Sequence, residues 1–169
     1  AAMEGHYDSL SVADLYILGW VNTETKKTSG IKVPGGLTYL LYQDFETPVQ
    51  GLDAFPDDDH PDMINAVFQT YHIMVGIGMF LIGLTLYSVF LWYRGKLFEK
   101  KWLMRLFVPV VLLPQIANQF GWYTAEMGRQ PWVVYGHLRT SEALSETVTA
   151  NHVAFSLALF TFIYLLLFG

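Results

Sequence analysis

Residues 64–93 read INAVFQTYHIMVGIGMFLIGLTLYSVFLWY, a stretch running from Ile64 to Tyr93 without one formal charge. It is long enough to cross a hydrocarbon layer of about 30 Å as a tilted helix, so the chain is read first as a membrane protein. The stretch ends in a connector, residues 94–101, where Arg94, Lys96, Lys100 and Lys101, with Arg105 just beyond, form the densest basic cluster in the chain. The positive-inside rule places that cluster in the cytoplasm. A second span over 102–127 then returns outward. Pro109 and Pro114 interrupt it, and each removes a backbone donor, so a bend is expected there. Residues 128–148 read as an outer loop and 149–169 as a third span that is still apolar at the last residue. By the same logic residues 1–63 lie outside.

Composition agrees with a chain divided between two solvents. It is 53% hydrophobic, 16% aromatic and only 15% charged. Most of the acidic residues, from Glu4 to Asp62, precede the first span. The leading segment is no low-complexity tail: Leu15–Trp20 and Leu37–Tyr42 are apolar enough to pack, with Lys26, Lys27, Gly30, Pro34, Gly35 and Gly36 between them. An ordered loop is expected, closed by the turn from Asp57 to Asp62, with a helix starting near Asp62. His6 and His60 read as surface residues. The chain begins at Ala1 with no signal-peptide pattern and ends within an apolar run, so both ends read as points inside a longer chain. The net charge of −5 and the lack of a basic stripe exclude a nucleic-acid partner. Having no cysteine, the chain can build neither a disulfide nor a thiolate metal site.

Chemistry is expected on the spans. Glu126 is an ionisable group at the outer end of an otherwise uncharged helix, either an interfacial carboxylate reaching water or a functional group. Gln115, Gln119, Trp122 and Glu126 recur at spacings of four, three and four and share one helix face, which reads as interhelical glue or as a polar site. Met74 lies about three turns into the first span with Gly78 one turn further, either a packing residue or an axial haem ligand. His72, two residues before it, points elsewhere on a helix. Arg129 follows Glu126 by three residues, where its guanidinium suits a carboxylate, a propionate or a rim salt bridge. His137 and His152 read as interfacial.

The run from Gly121 to Trp132, GWYTAEMGRQPW, resembles the GRQPW signature of subunit I of cytochrome bd-type quinol oxidases. Three further stretches agree in order: Ala1-Ala2-Met3-Glu4-Gly5 with the quinol loop, Gly51 to Pro56 with its end, and Ile73-Met74-Val75-Gly76 with the span that follows. The resemblance covers essentially all 169 residues. It implies an all-α membrane helix bundle, three spans in this chain behind an extracytoplasmic loop segment, in the bacterial cytoplasmic (inner) membrane. It also implies roles. Met74 would be an axial ligand of low-spin haem b and Glu126 a ligand of high-spin haem b. Trp122 would lie between haems, Arg129 would hold propionates, and Glu4 would bind and deprotonate quinol. His72 would stand in the haem-contacting set where many members carry arginine. A further haem, d or b, would complete the oxygen-reducing pair. The implied partners are the rest of subunit I, subunit II, a small accessory subunit, lipid and quinol. The implied reaction oxidises quinol outside and reduces dioxygen to water, building proton motive force without pumping, in the complete complex and not in this piece alone. The rival reading is a transporter or assembly subunit whose Gln115 to Glu126 face lines a polar path.

Overall fold

The computed structural model describes residues 1–10, 12–145 and 147–168. The chain forms two units, residues 1–131 and residues 132–169. In the first, a 3-10 turn (Ala2–Glu4) precedes an antiparallel hairpin of β1 (Leu15–Asn22) and β2 (Lys27–Val33) and a short helix α1 (Gly36–Tyr42). Three helices follow: α2 (Ile64–Tyr93), α3 (Lys101–Val110) and α4 (Leu113–Arg129). The second unit holds a small antiparallel pair, β3 (Trp132–Val134) and β4 (Leu138–Arg139), and the helix α5 (Ala150–Phe168). Three segments, Ile64–Tyr93, Lys101–Arg129 and Ala150–Phe168, are long and apolar enough to cross a membrane. The three spans expected from sequence are therefore present, and the strands are a minor element.

The second span is two helices. Pro109 lacks the N–H that would bond Arg105, and Pro114 sits in the first turn of α4, where a missing donor costs nothing. The ladder breaks between them at Val111 and Leu112.

With 30 residues, α2 is ~45 Å long at about 1.5 Å per residue, longer than a hydrocarbon layer of ~30 Å. Its first turns pack against the hairpin. Asn65, Gln69 and His72, spaced four and three apart, share one face and bond the backbone of β1 in descending order. Val21 N–H donates to Asn65 Oδ1 at 3.0 Å, Gln69 Nε2 donates to the Gly19 carbonyl at 2.7 Å, and His72 Nε2 lies 2.8 Å from the Tyr16 carbonyl. The hairpin thus runs down the outer turns of α2, and these polar side chains are satisfied by protein rather than exposed to lipid. Below them the core closes on Phe68, which is fully buried with Val21, Tyr7, Leu52 and Ile64.

Two histidines correct the sequence expectation. His6 is only 7% exposed and its Nε2 lies 2.7 Å from the Asp14 carbonyl. The His60 side chain is 12% exposed, with Nε2 2.7 Å from the Leu52 carbonyl. Both sit inside the loop because its turns leave backbone carbonyls that need donors, a demand that residue type alone does not reveal.

Asp14 anchors the junction of hairpin and α1, accepting Lys32 Nζ at 2.5 Å and the Gly35 N–H at 3.1 Å. The hydrogen bond from Lys32 holds the Asp14 carboxyl below the usual carboxylate range. A carboxyl depressed on folding stabilises the fold at pH above its unfolded value of about 3.9, and that contribution is lost as pH falls through the folded value. Limited proteolysis between β1 and α1 should therefore accelerate in wild type only below about pH 4. Asp14→Asn should be cut faster already at neutral pH; cleavage identical to wild type there would show the anchor to be idle.

Candidate functional site

Glu4 ends the first turn of the chain and is 7% exposed. Its position is held by Gly5, whose φ of 65° suits glycine and whose Cβ, if added, would lie 2.7 Å from both Thr28 Oγ1 and Val21 Cγ2. Thr28 Oγ1 also donates to the Gly5 carbonyl at 2.5 Å, pinning the turn to β2. The Glu4 carboxyl lines a cavity of about 370 Å³ whose other walls are largely apolar: Ala1, Ala2 and Met3, then Leu37, Leu40 and Leu41 of α1, Val49, Val67 and Tyr71 of α2, and Gly128 of α4. Its Oε2 is buried and has no hydrogen-bond partner among the described residues. Burial pushes the carboxyl above the ordinary carboxylate range. The neighbouring His72 and Tyr71 side chains pull the other way. A buried carboxyl in an apolar pocket large enough for an aromatic ring is equipped to exchange a proton with a ligand hydroxyl.

The α2/α4 seam carries the next residues. Small residues on α4, Gly121, Thr124 and Gly128, meet Met74, Thr70 and Val67 of α2 in antiparallel order. A Cβ on Gly121 would lie 2.8 Å from Met74 Sδ, Thr124 Oγ1 donates to Thr70 Oγ1 at 2.8 Å, and a Cβ on Gly128 would lie 3.3 Å from Val67 Cγ1. Met74 is half-buried here, its thioether lodged where Gly121 lacks a side chain. Gly76 and Gly78 have nothing within 4 Å of the place a Cβ would occupy, so the helix surface beyond Met74 is open. Tyr71, one turn before Met74 and lining the Glu4 cavity, escaped the sequence reading. Its i, i+3 spacing from Met74 was the available signal.

His72 lies between α2 and the hairpin. Its Nδ1 lies 2.8 Å from the Phe68 carbonyl and its Nε2 2.8 Å from that of Tyr16. Through these contacts the residue ties α2 to the hairpin.

The polar stripe on α4 does face one way, and it faces away from α2. Gln115, Gln119, Trp122, Glu126 and Arg129 are all exposed, whereas Thr124 on the opposite face is 3% exposed. Met74 and Glu126 are therefore not brought together: they lie on opposite sides of α4. Glu126 shares a shallow cleft with Asp62, Met63, Met127 and Gln130. Among the described residues Glu126 and Arg129 form no ion pair, although three residues separate them. Within the second unit the Arg139 guanidinium lies over the Trp132 ring, 4.8 Å from its centroid.

Comparison with known proteins gives one answer. The family model for cytochrome bd terminal oxidase subunit I matches residues 1–169. Cytochrome bd ubiquinol oxidase subunit 1 of Bacillus subtilis (strain 168) is 34% identical over 177 residues, covering 99% of this chain and 38% of that protein. Cytochrome bd-II ubiquinol oxidase subunit 1 of Escherichia coli (strain K12) is 36% identical over 100 residues, covering 59% of this chain and 19% of that protein. Among solved structures, the bd oxidase from Geobacillus thermodenitrificans superposes with a TM-score of 0.78 at 31% identity, covering 99% of this chain and 38% of that one. The chain thus spans a little over a third of the length of the longer relatives it matches.

Proposed function

The chain belongs to the cytochrome bd terminal oxidase subunit I family, and from that premise we propose that it forms the outer quinol pocket and part of the haem-holding helix pair of a terminal quinol oxidase. Family membership sets the transporter reading aside. The observation that carries the proposal is the buried Glu4 carboxyl in an apolar cavity whose wall, Tyr71, is one turn from Met74 on the same helix.

Quinol enters the cavity with its ring against Leu37, Leu40, Leu41 and Val67, which exclude water. The Glu4 carboxylate accepts a hydroxyl proton and hands it to the outer side, where residues 1–63 lie. Each quinol gives up two protons and two electrons to become quinone, so two quinols reduce one dioxygen to two waters. Protons released outside and taken up from the cytoplasm separate charge without pumping. Placing Met74 three residues, or ~4.5 Å along the axis, below Tyr71 keeps the electron path from the pocket short.

The residues fit the haems that this family implies. Met74 offers a soft thioether beside an open helix surface, and would help hold low-spin haem b. Glu126 offers a carboxylate on a polar face that no other described helix of its unit covers, and would ligate high-spin haem b. Trp122 would lie between haems and Arg129 would hold propionates. Among the described residues no three histidine or carboxylate side chains converge, and Met74 and Glu126 would each contribute to a different haem site. Bound haem supplies one-electron transfer and the iron at which dioxygen is reduced. Subunit II, the rest of subunit I, a small accessory subunit and the lipid of the bacterial inner membrane complete the assembly.

Glu4→Gln in the full-length complex tests the pocket. The amide keeps the shape and cannot take the proton, so quinol-driven oxygen uptake should fall about 100-fold, with haem content and the dithionite-reduced spectrum unchanged. Quinol oxidation at the wild-type rate would remove Glu4 from the mechanism.

A further inference from the structure

Resting on the quinol reading of the Glu4 pocket, we infer that α1 is seated in the outer membrane interface, its uncharged surface on lipid, where it forms the lip of that pocket. The helix reads Gly36-Leu37-Thr38-Tyr39-Leu40-Leu41-Tyr42 and carries no charge. One side of it is fixed to the loop. The Leu37 and Thr38 N–H groups donate to the Ala13 carbonyl at 3.2 and 3.3 Å, the Ala13 N–H donates to Thr38 Oγ1 at 2.7 Å, and Leu37 packs with Ala13 and Val49. The rest of the helix faces outward: Leu40 is 63% exposed, Tyr39 and Leu41 54%, and Tyr42 46%. Phe45, exposed as well, extends the patch by stacking on Tyr39 with centroids 5.3 Å apart. Five large apolar side chains gathered on one uncharged surface mark a contact face.

Three observations favour lipid as what covers it. The first is position along α2. Val21 meets Asn65, Gly19 meets Gln69 and Tyr16 meets His72, so the hairpin descends the span from its turn to its open end. Asn65 to His72 is about 10 Å of helix axis. Gly36 of α1 packs on Leu15 and Val33 at the open end, which sets α1 on the membrane side of the hairpin, while the charged turn with Glu24, Lys26 and Lys27 points the other way. The second is composition. Tyr39 and Tyr42 flank Leu40 and Leu41, and a ring that pairs an apolar body with a hydroxyl suits the headgroup layer. The third is the pocket itself. Leu40 and Leu41 line the Glu4 cavity and are exposed at the same time, so they form its rim, with Val67 and Tyr71 of α2 and Gly128 of α4 behind them. A membrane-borne quinol arrives through lipid, and a protein laid over this rim would close the pocket to it.

The test is the depth of α1 in the full-length complex held in lipid nanodiscs. This chain has no cysteine, so a spin label is placed through Tyr42→Cys or, separately, Leu40→Cys, with Glu24→Cys as the reference and any reactive cysteine elsewhere in the complex replaced. Power saturation reads how often each label meets oxygen, which concentrates in lipid, and how often a water-soluble nickel chelate. The labels on α1 should favour oxygen and lie about 5–10 Å into the boundary between headgroups and acyl chains. The label at position 24 should favour the chelate. An unchanged haem spectrum in each labelled sample reports assembly. Preference for the chelate at both α1 positions would put the helix in water and overturn the inference. Shielding of both from oxygen and chelate alike would show a protein partner on α1 and overturn it equally. Quinol oxidation left intact by Glu4→Gln would instead remove the pocket reading, while the labels still report where α1 lies.

Discussion

Met74→Leu should erase the low-spin haem b signal from the reduced-minus-oxidised spectrum of the full-length complex while leaving the high-spin signals in place. Leucine nearly matches methionine in volume, and such swaps in packed sites usually cost less than about 1.5 kcal/mol, so the α2/α4 seam should survive. What goes is the sulfur. Loss of second-shell partners around a metal site costs about 10–100-fold, so loss of the ligand itself should lower quinol-driven oxygen uptake by at least that much. The surviving high-spin signals report folding and assembly in the same sample. A low-spin signal at full intensity in Met74→Leu would make Met74 a packing residue, lodged against Gly121 for want of a Cβ there and nothing more.

That alternative was already open in the sequence, and the reason shows what sequence patterning can and cannot carry here. The spans were legible because an uncharged run such as Ile64–Tyr93 has few other physical outcomes. The break near Pro109 and Pro114 was legible because proline removes a named hydrogen bond. The i, i+3, i+4 logic likewise put Gln115, Gln119, Trp122 and Glu126 on one face, and they are all exposed together. None of these needs knowledge of a distant residue.

What escaped depends on partners far away in the chain. Asn65, Gln69 and His72 read as polar residues within a span, but they are spoken for by β1, more than 40 residues earlier. Hence the first turns of α2 are also tied to the hairpin, a contact that the span's composition does not reveal. His6 and His60 were misread for the same reason, since their acceptors are carbonyls of turns that exist only once the loop is folded. Nor could periodicity tell which face of α4 meets α2. Gly121, Thr124 and Gly128 decide that by close approach, and in doing so turn Glu126 away from Met74.

This division of α4 makes the second substitution independent of the first. Glu126→Ala should abolish the high-spin haem signal and with it dioxygen reduction, while the low-spin signal and its reduction by quinol persist. The argument rests on the unmatched polarity of one helix face. Gln115, Gln119 and Glu126 are exposed on a helix otherwise suited to lipid, and a carboxylate left against hydrocarbon is costly. On the proposed reading a cofactor held by the complete complex would cover that face, with the Glu126 carboxylate toward it. Alanine removes the ligand without disturbing Thr124, whose hydroxyl bonds Thr70 on the other side of the helix. Optical spectra and carbon monoxide binding to the reduced complex would read the outcome directly. Intact high-spin bands with normal carbon monoxide binding would show that Glu126 is an interfacial carboxylate. Joint loss of both haem signals would show that the two faces of α4 are not separable, contrary to the seam that keeps Met74 and Glu126 apart.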